Sequence, residues 1–157
     1  MPTPFAHGYD AGEPGEELRD VTESNPAIPW ASGAMISTLA DLGVWAEALA
    51  TGTLLPPELQ AERLRFGSLA EGPVSVGYGL GILSVNGLIG HNGGIRGYSS
   101  WVVHDPESGA SIVVVTNRGG NEGGTSDPIF IGIASYLFPE RFAAILPGAT
   151  PEASPAA

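Results

Sequence analysis

Glycine and proline set the strongest limit on this chain: 23 glycines and 14 prolines punctuate 157 residues. Each glycine adds backbone freedom, and each proline removes an N–H and fixes φ. Regular elements must therefore be short and turns numerous. Residues 1–31 read as an irregular segment, broken by Pro2, Pro4, Pro14, Pro26 and Pro29, with Gly8, Gly12 and Gly15 adding turns. Within it, the acidic stretch Glu13–Asp20 reads as a solvated face rather than a metal site. The hydrophobic fraction of 43% supports a core, which excludes wholesale disorder. The length suits one domain or a large part of one. Unbroken apolar runs such as Ile112–Val115 are far shorter than the roughly 20 residues of a membrane-spanning helix.

Charge narrows the function classes. Seventeen acidic residues face six basic ones, for a formal net charge of −11. Nucleic acid and anionic membrane surfaces need clustered cations, so both are disfavoured as partners. All six cations are arginines (19, 63, 65, 96, 118 and 141), and the sequence has no lysine. It thus supplies no Schiff-base lysine, no P-loop lysine and no Ser-Lys pair. It has no cysteine either, which removes disulfides, thiolate catalysis and zinc-thiolate sites. No cofactor is implied. The N-terminus shows no cationic n-region followed by an apolar h-region, so no signal segment is visible, and the compartment is left open.

Periodicity places the elements. Leu39, Leu42, Trp45, Ala46 and Leu49 recur at helical spacing. Thr38 suits the N-cap with Asp41 three residues on, and Gly52 suits the C′ position. A second helix is expected from Pro57 to about Arg65, with Pro57 in its first turn. The period then changes. Tyr78–Val85 reads as a strand, and Asn86-Gly87 is a strong hairpin signal because a type I′ turn needs positive φ at both positions. Leu88–His91 returns, and the run Gly90-His91-Asn92-Gly93-Gly94 is expected to end it. Gly97–Asp105 and Ala110–Asn117 follow as strands around the loop Asp105–Gly109. The apolar run Ile112–Val115 predicts a strand covered on both faces. A Gly-rich loop over 119–127 leads to a last helix over roughly 128–138. The fold class is α+β, an antiparallel meander with helices packed on it. The expected organisation is an irregular segment over 1–31, a domain over 32–140 and a disordered tail over 141–157.

His91 is the most informative residue for chemistry. At a strand end beside Asn92, Gly93 and Gly94, it can serve as acid, base or hydrogen-bond donor. The glycine pair can admit a substrate close to the backbone and offer N–H groups to an oxyanion. A turn histidine beside a flexible Gly pair is the bland alternative. Arg96 suits a substrate carboxylate, or equally a surface charge balancing an acidic chain. Asn117 ends the fourth strand, either near the same sheet end as His91 or simply as a strand terminator. A triad of Ser99 or Ser100, His91 and Asp105 can be drawn but lacks a G-x-S-x-G elbow. His7, His91 and His104 lack metal-ligand spacing, so no metal site is expected; His104 reads as a surface residue. Trp30, Trp45 and Trp101 read as core or half-buried packing.

Three ordered blocks carry a resemblance: Trp30-Ala-Ser-Gly-Ala-Met-Ile-Ser-Thr-Leu-Ala-Asp-Leu, Gly77-Tyr-Gly-Leu-Gly-Ile and Gly90-His-Asn-Gly-Gly-Ile-Arg-Gly-Tyr-Ser. Together they resemble the serine β-lactamase / penicillin-binding family of the class C and D-alanyl-D-alanine carboxypeptidase type, over about residues 6–140. The third block is similar to the His-x-Gly variant of that family's third motif. The resemblance implies a partial β-lactamase/transpeptidase-like fold and an acyl-enzyme mechanism on an ester, a D-Ala-D-Ala amide or a β-lactam. It implies His91 as the polar third-motif residue, Asn92 and Gly93 as pocket lining, and the Gly94 N–H as an oxyanion donor. Family members are usually extracytoplasmic.

The departure is equally clear. The family's nucleophile lies in a Ser-x-x-Lys motif, and this sequence has no lysine; none of its tyrosines begins a Tyr-x-Asn. The chain resembles the C-terminal half of such an enzyme, a truncated product or a piece of a longer one. It is expected to be inactive alone, and to self-associate or pair with an N-terminal half. A non-catalytic module that binds peptide or partner chains, and a self-sufficient hydrolase built on His91, are the alternatives.

Overall fold

The computed structural model describes residues 3–10, 16–25, 27–119 and 125–145. Expectations for most of the Gly-rich loop, for the tail beyond residue 145 and for Pro2, Gly12, Pro14, Gly15 and Pro26 lie outside the described residues. Short strands β1 (Tyr9–Asp10) and β2 (Arg19–Asp20) precede helices α1 (Leu39–Thr51) and α2 (Pro57–Arg63). A meander follows: β3 (Gly67–Ala70), β4 (Val76–Tyr78), β5 (Leu83–Val85), β6 (Leu88–Ile95), β7 (Tyr98–His104) and β8 (Ser111–Thr116). Then come β9 (Arg118–Gly119), α3 (Ser126–Leu137) and α4 (Pro139–Phe142). Strands β3 to β8 form one antiparallel sheet in chain order, and β2, β1 and β9 form a small second one. The α+β class stands.

Local chemistry sets the helix ends. The Thr38 hydroxyl accepts the Asp41 N–H at 3.2 Å and donates to the Asp41 carboxylate at 2.9 Å. Gly52 closes α1 in the left-handed region at φ 83°. The two helices are then tied together: buried Gln60 of α2 donates its amide to the Leu49 carbonyl at 2.9 Å, satisfying an open acceptor in the last turn of α1. Among the described residues, no helix is long and apolar enough to cross a membrane.

The sheet departs from the sequence reading in several places. Tyr78–Val85 is two strands rather than one, because the Gly79 N–H turns back to the Ile82 carbonyl at 2.8 Å and Gly81 takes φ +67°. Gly79 also lies so near the Arg63 carbonyl that a Cβ would sit 2.2 Å from it. β6 does not end at the glycines; it continues to Ile95, since a ladder needs only backbone groups. Asn86 and Gly87 do form the hairpin turn, with φ of 47° and 87°. β8 alternates instead of being covered on both faces: Ile112 and Val114 are buried while Val115 is 46% exposed. His104 is buried, bonded to the Ser111 hydroxyl at 2.9 Å. Trp30 is largely exposed, Trp45 is 42% exposed, and of the three only Trp101 joins the core.

The core lies between the sheet and the C-terminal helices. Trp101 stacks on Phe130 at 4.1 Å, and Phe142 meets Phe130 edge-on at 6.5 Å. Leu83, Val85, Leu88, Val103, Ile112 and Val114 close around them. The Trp101 indole N–H donates to Asp127 at 2.7 Å in the first turn of α3, so its polar edge is satisfied as the ring is buried. α1 packs across β6, β7 and β8; pleat alternation puts buried Val102 on the face opposite Trp101.

Arg141 and Phe142, expected to begin a disordered tail, are instead anchored. Phe142 is fully buried, and Arg141 bridges buried Asp105 at 2.8 Å and Glu107 at 2.6 Å. Asn86 donates to the Arg141 carbonyl at 2.8 Å, fixing α4 to the β5–β6 turn. Burial pushes the Asp105 carboxyl up, but hydrogen bonds from Arg141 and Ser108 and the charge of Arg141 outweigh it and hold it below its ordinary value. Arg141→Ala leaves that carboxylate buried with only its Ser108 hydrogen bonds. We expect it to destabilise the chain by about 2–3 kcal/mol at neutral pH, allowing for the partly exposed guanidinium. A depressed carboxylate contributes fully above its unfolded value, and the contribution is lost as pH falls through the folded one. Urea melts should therefore show the gap between wild type and variant narrowing below about pH 4.

Candidate functional site

His91 lies mid-strand in β6 beyond the reach of β5, which pairs only with Leu88–Gly90. Among the described residues, the edge of β6 from His91 to Ile95 therefore has no neighbouring strand on that side. Tyr78, at the end of β4, reaches across this gap. Its hydroxyl lies 3.2 Å from His91 Nε2, and the two rings meet edge to face with centroids 5.7 Å apart. The other ring nitrogen, Nδ1, lies 2.5 Å from the Asn92 carbonyl oxygen. Both nitrogens of His91 are thus engaged, and Tyr78 is a partner of His91 that the sequence reading passed over as ordinary strand. The register through Asn86-Gly87 carries the signal, since Tyr78 and Gly90 both lie opposite Leu83.

Strand alternation divides the expected pocket residues. His91 and Gly93 point to one face of the sheet, Asn92 and Gly94 to the other. A Cβ on Gly93 would sit 2.8 Å from the Ser100 hydroxyl, whereas one on Gly94 would meet nothing within 4 Å. The two-residue turn Arg96-Gly97 is closed by the pair Ile95–Tyr98. In a two-residue hairpin that closing pair exchanges hydrogen bonds, so alternation turns the backbone groups of Asn92 and Gly94 away from β7, toward the open edge. The expectation that Gly94 can offer its N–H to a ligand is consistent with this placement.

Arg96 and Asn117 lie at the far end of the β6–β7 hairpin, engaged with the N-terminal segment. Arg96 Nε donates to Asp10 at 3.0 Å, and the Gly97 N–H donates to the second Asp10 oxygen at 2.9 Å. Asn117 donates its amide to the His7 carbonyl at 2.9 Å and accepts the Tyr9 N–H at 3.0 Å through its own carbonyl. Tyr98 donates its hydroxyl to the Ala6 carbonyl at 2.7 Å. These donors clasp residues 6–10 against the hairpin, and neither side chain joins His91. Replacing Asp10 by Ala should open this clasp. Amide exchange at Gly97 and Tyr9 is expected to accelerate by about tenfold, as for loss of one or two hydrogen bonds, with core amides on β7 unchanged.

The remaining candidates are held elsewhere. Ser99 shares hydrogen bonds with Thr116 at 2.7 Å and the Ser126 N–H at 3.1 Å, and Asp105 is bound to Arg141, so neither meets His91. His7 pairs with Asp20 at 2.7 Å on the surface. The Thr22 hydroxyl, then His7 and the Thr22 N–H, lower that carboxyl to about 2. Among the described residues, no group of three or more His, Asp and Glu is placed to hold a metal ion.

Comparison with known proteins gives this geometry a context. A family model described as Beta-lactamase matches residues 2–135. A D-stereospecific amidohydrolase from Streptomyces sp. is similar at 30% identity and TM-score 0.74, over 88% of this chain and 41% of that one. The D-amino acid amidase from Ochrobactrum anthropi SV3, complexed with L-phenylalanine amide, is similar at 25% identity and TM-score 0.69, over 89% and 43%. The same amidase complexed with D-phenylalanine matches at 26% identity and TM-score 0.62, over 74% and 37%. The chain spans about two fifths of the length of these structures.

Proposed function

The chain belongs to the beta-lactamase family, and we propose that it forms the sheet wall of a penicillin-recognising serine hydrolase site without carrying the nucleophile. The absence of lysine carries this reading: no Ser-x-x-Lys can be written in the sequence, while the open edge of β6 is retained. In this reading a Ser-x-x-Lys partner segment supplies the attacking hydroxyl and its base. His91, through the Tyr78 hydroxyl it holds, orients the acyl donor beside the strand, and the Gly94 N–H stabilises the oxyanion as the carbonyl becomes tetrahedral. The acyl donor is an ester, an amide of a D-amino acid or a β-lactam. The names of the similar structures, a D-stereospecific amidohydrolase and a D-amino acid amidase, support the amide.

The surface supports an incomplete unit. Ile28, Trp30, Met35 and Val44 are each more than 70% exposed, and β3 is an exposed edge strand. Uncovered apolar side chains and a free edge invite association. Sedimentation velocity on the isolated chain should show concentration-dependent self-association, and a monodisperse monomer at high concentration would argue against an uncovered face.

The direct test is the intact mass of the folded chain after incubation with a β-lactam and, separately, a fluorophosphonate. No adduct is expected; a stoichiometric adduct would sink the missing-nucleophile reading. Mixing with an N-terminal segment that carries Ser-x-x-Lys should restore acylation. In that assembly Gly94→Pro removes the N–H and should lower acylation by about 100- to 1,000-fold. Gly94→Ala, whose Cβ meets open space, should leave it within a few-fold.

A further inference from the structure

The hydrogen bonds of His91 define its tautomer. A carbonyl oxygen only accepts, so the nitrogen facing the Asn92 carbonyl, Nδ1, must carry hydrogen. A neutral imidazole has one N–H, which leaves Nε2 as an acceptor. The group 3.2 Å from Nε2 is the Tyr78 hydroxyl, so the phenol donates and the imidazole accepts. The Tyr78 ring lies edge-on to the imidazole at 85°, which opposes rotation of the imidazole about its own bonds.

We propose that Tyr78 is a positioning residue of this site: it locks His91 in the Nδ1–H tautomer and presents its own phenol oxygen, rather than Nε2, to an incoming ligand. Tyr78 is 38% exposed, and its oxygen keeps its acceptor lone pairs after its hydrogen is committed to Nε2. Proton uptake at Nε2 reverses the bond. Nε2–H then donates to the phenol oxygen, and the phenol hydrogen turns outward as a donor. Tyr78 keeps its proton throughout, and the pair gains one. A ligand thus meets an acceptor when His91 is neutral and a donor when it is charged. The role of the pair in a reaction rests on the reading of His91 given above; its tautomer does not.

Nitrogen-15 labelling of the whole chain and long-range proton–nitrogen correlation of the imidazoles test this without any activity. At a pH where His91 is neutral, the expected pattern is a protonated Nδ1 and a bare Nε2. Tyr78→Phe should move the Nε2 resonance and raise the share of the Nε2–H tautomer, with the backbone fingerprint of β7 and α3 unchanged. An Nε2–H tautomer in the wild type, or an Nε2 resonance indifferent to Tyr78→Phe, would overturn the proposal. Should Tyr78→Phe fail to fold, His91→Gln serves in its place. It removes the imidazole acceptor, and the Tyr78 Cζ resonance should shift from its wild-type position; an unmoved Cζ would count equally against the pair. Failure to restore acylation with a Ser-x-x-Lys segment would defeat the proposed function and leave these resonances as they are.

Discussion

The β6–β7 ladder is the interaction on which the rest depends. It runs unbroken from Ile89 opposite His104 to Ile95 opposite Tyr98. Its two faces serve different layers. Trp101 and Val103 point into the aromatic core with Phe130 and Phe142, while Val102 points to the face where α1 packs. The ladder passes through three glycines, and the tightest of these is Gly90, where a Cβ would stand 2.0 Å from the Val102 carbonyl. Close approach of two backbones therefore explains glycine at this position better than flexibility does.

The arginines show how an acidic chain uses few cations. Arg141 neutralises buried Asp105, and Arg96 holds Asp10 at the surface. The first joins the β7–β8 turn to α4; the second joins the β6–β7 turn to the N-terminal segment. The buried pair is the one whose rupture matters most, since Asp105 is 2% exposed and would keep only its Ser108 hydrogen bonds. The exposed pair is supported by backbone hydrogen bonds around it, and those give the clasp its geometry.

The candidate site lies on the free side of β6. Its backbone edge is open where β5 stops short, and its polar side chains, His91 and Tyr78, are already paired with each other. Such an edge suits a ligand that lies alongside β6 and presents a carbonyl to its N–H groups. Membership of the beta-lactamase family agrees with that geometry.

Features whose causes lie within a few residues were legible in the sequence. The Thr38 cap, the Gly52 stop, the Asn86-Gly87 turn and the meander followed from helix and turn chemistry that acts over one or two turns of chain. The resemblance over residues 6–140 brought the fold with it and marked His91 as a candidate. Tertiary structure alone decided what depends on distant partners. Gly79 broke an apparent strand by packing on Arg63, and β6 continued past its glycines because β7 offered it a ladder. Asp105 claimed Arg141 across 36 positions and turned an expected tail into a buried anchor. Asn117 reached His7 across 110 positions and Arg96 reached Asp10 across 86, so both were placed in a clasp rather than beside His91. Tyr78 met His91 only because β5 is short. Local propensity is set by covalent neighbours and can be read along the chain. The pairing of a polar side chain is set by whichever partner the packed core brings within about 3 Å, and no spacing in the sequence encodes that.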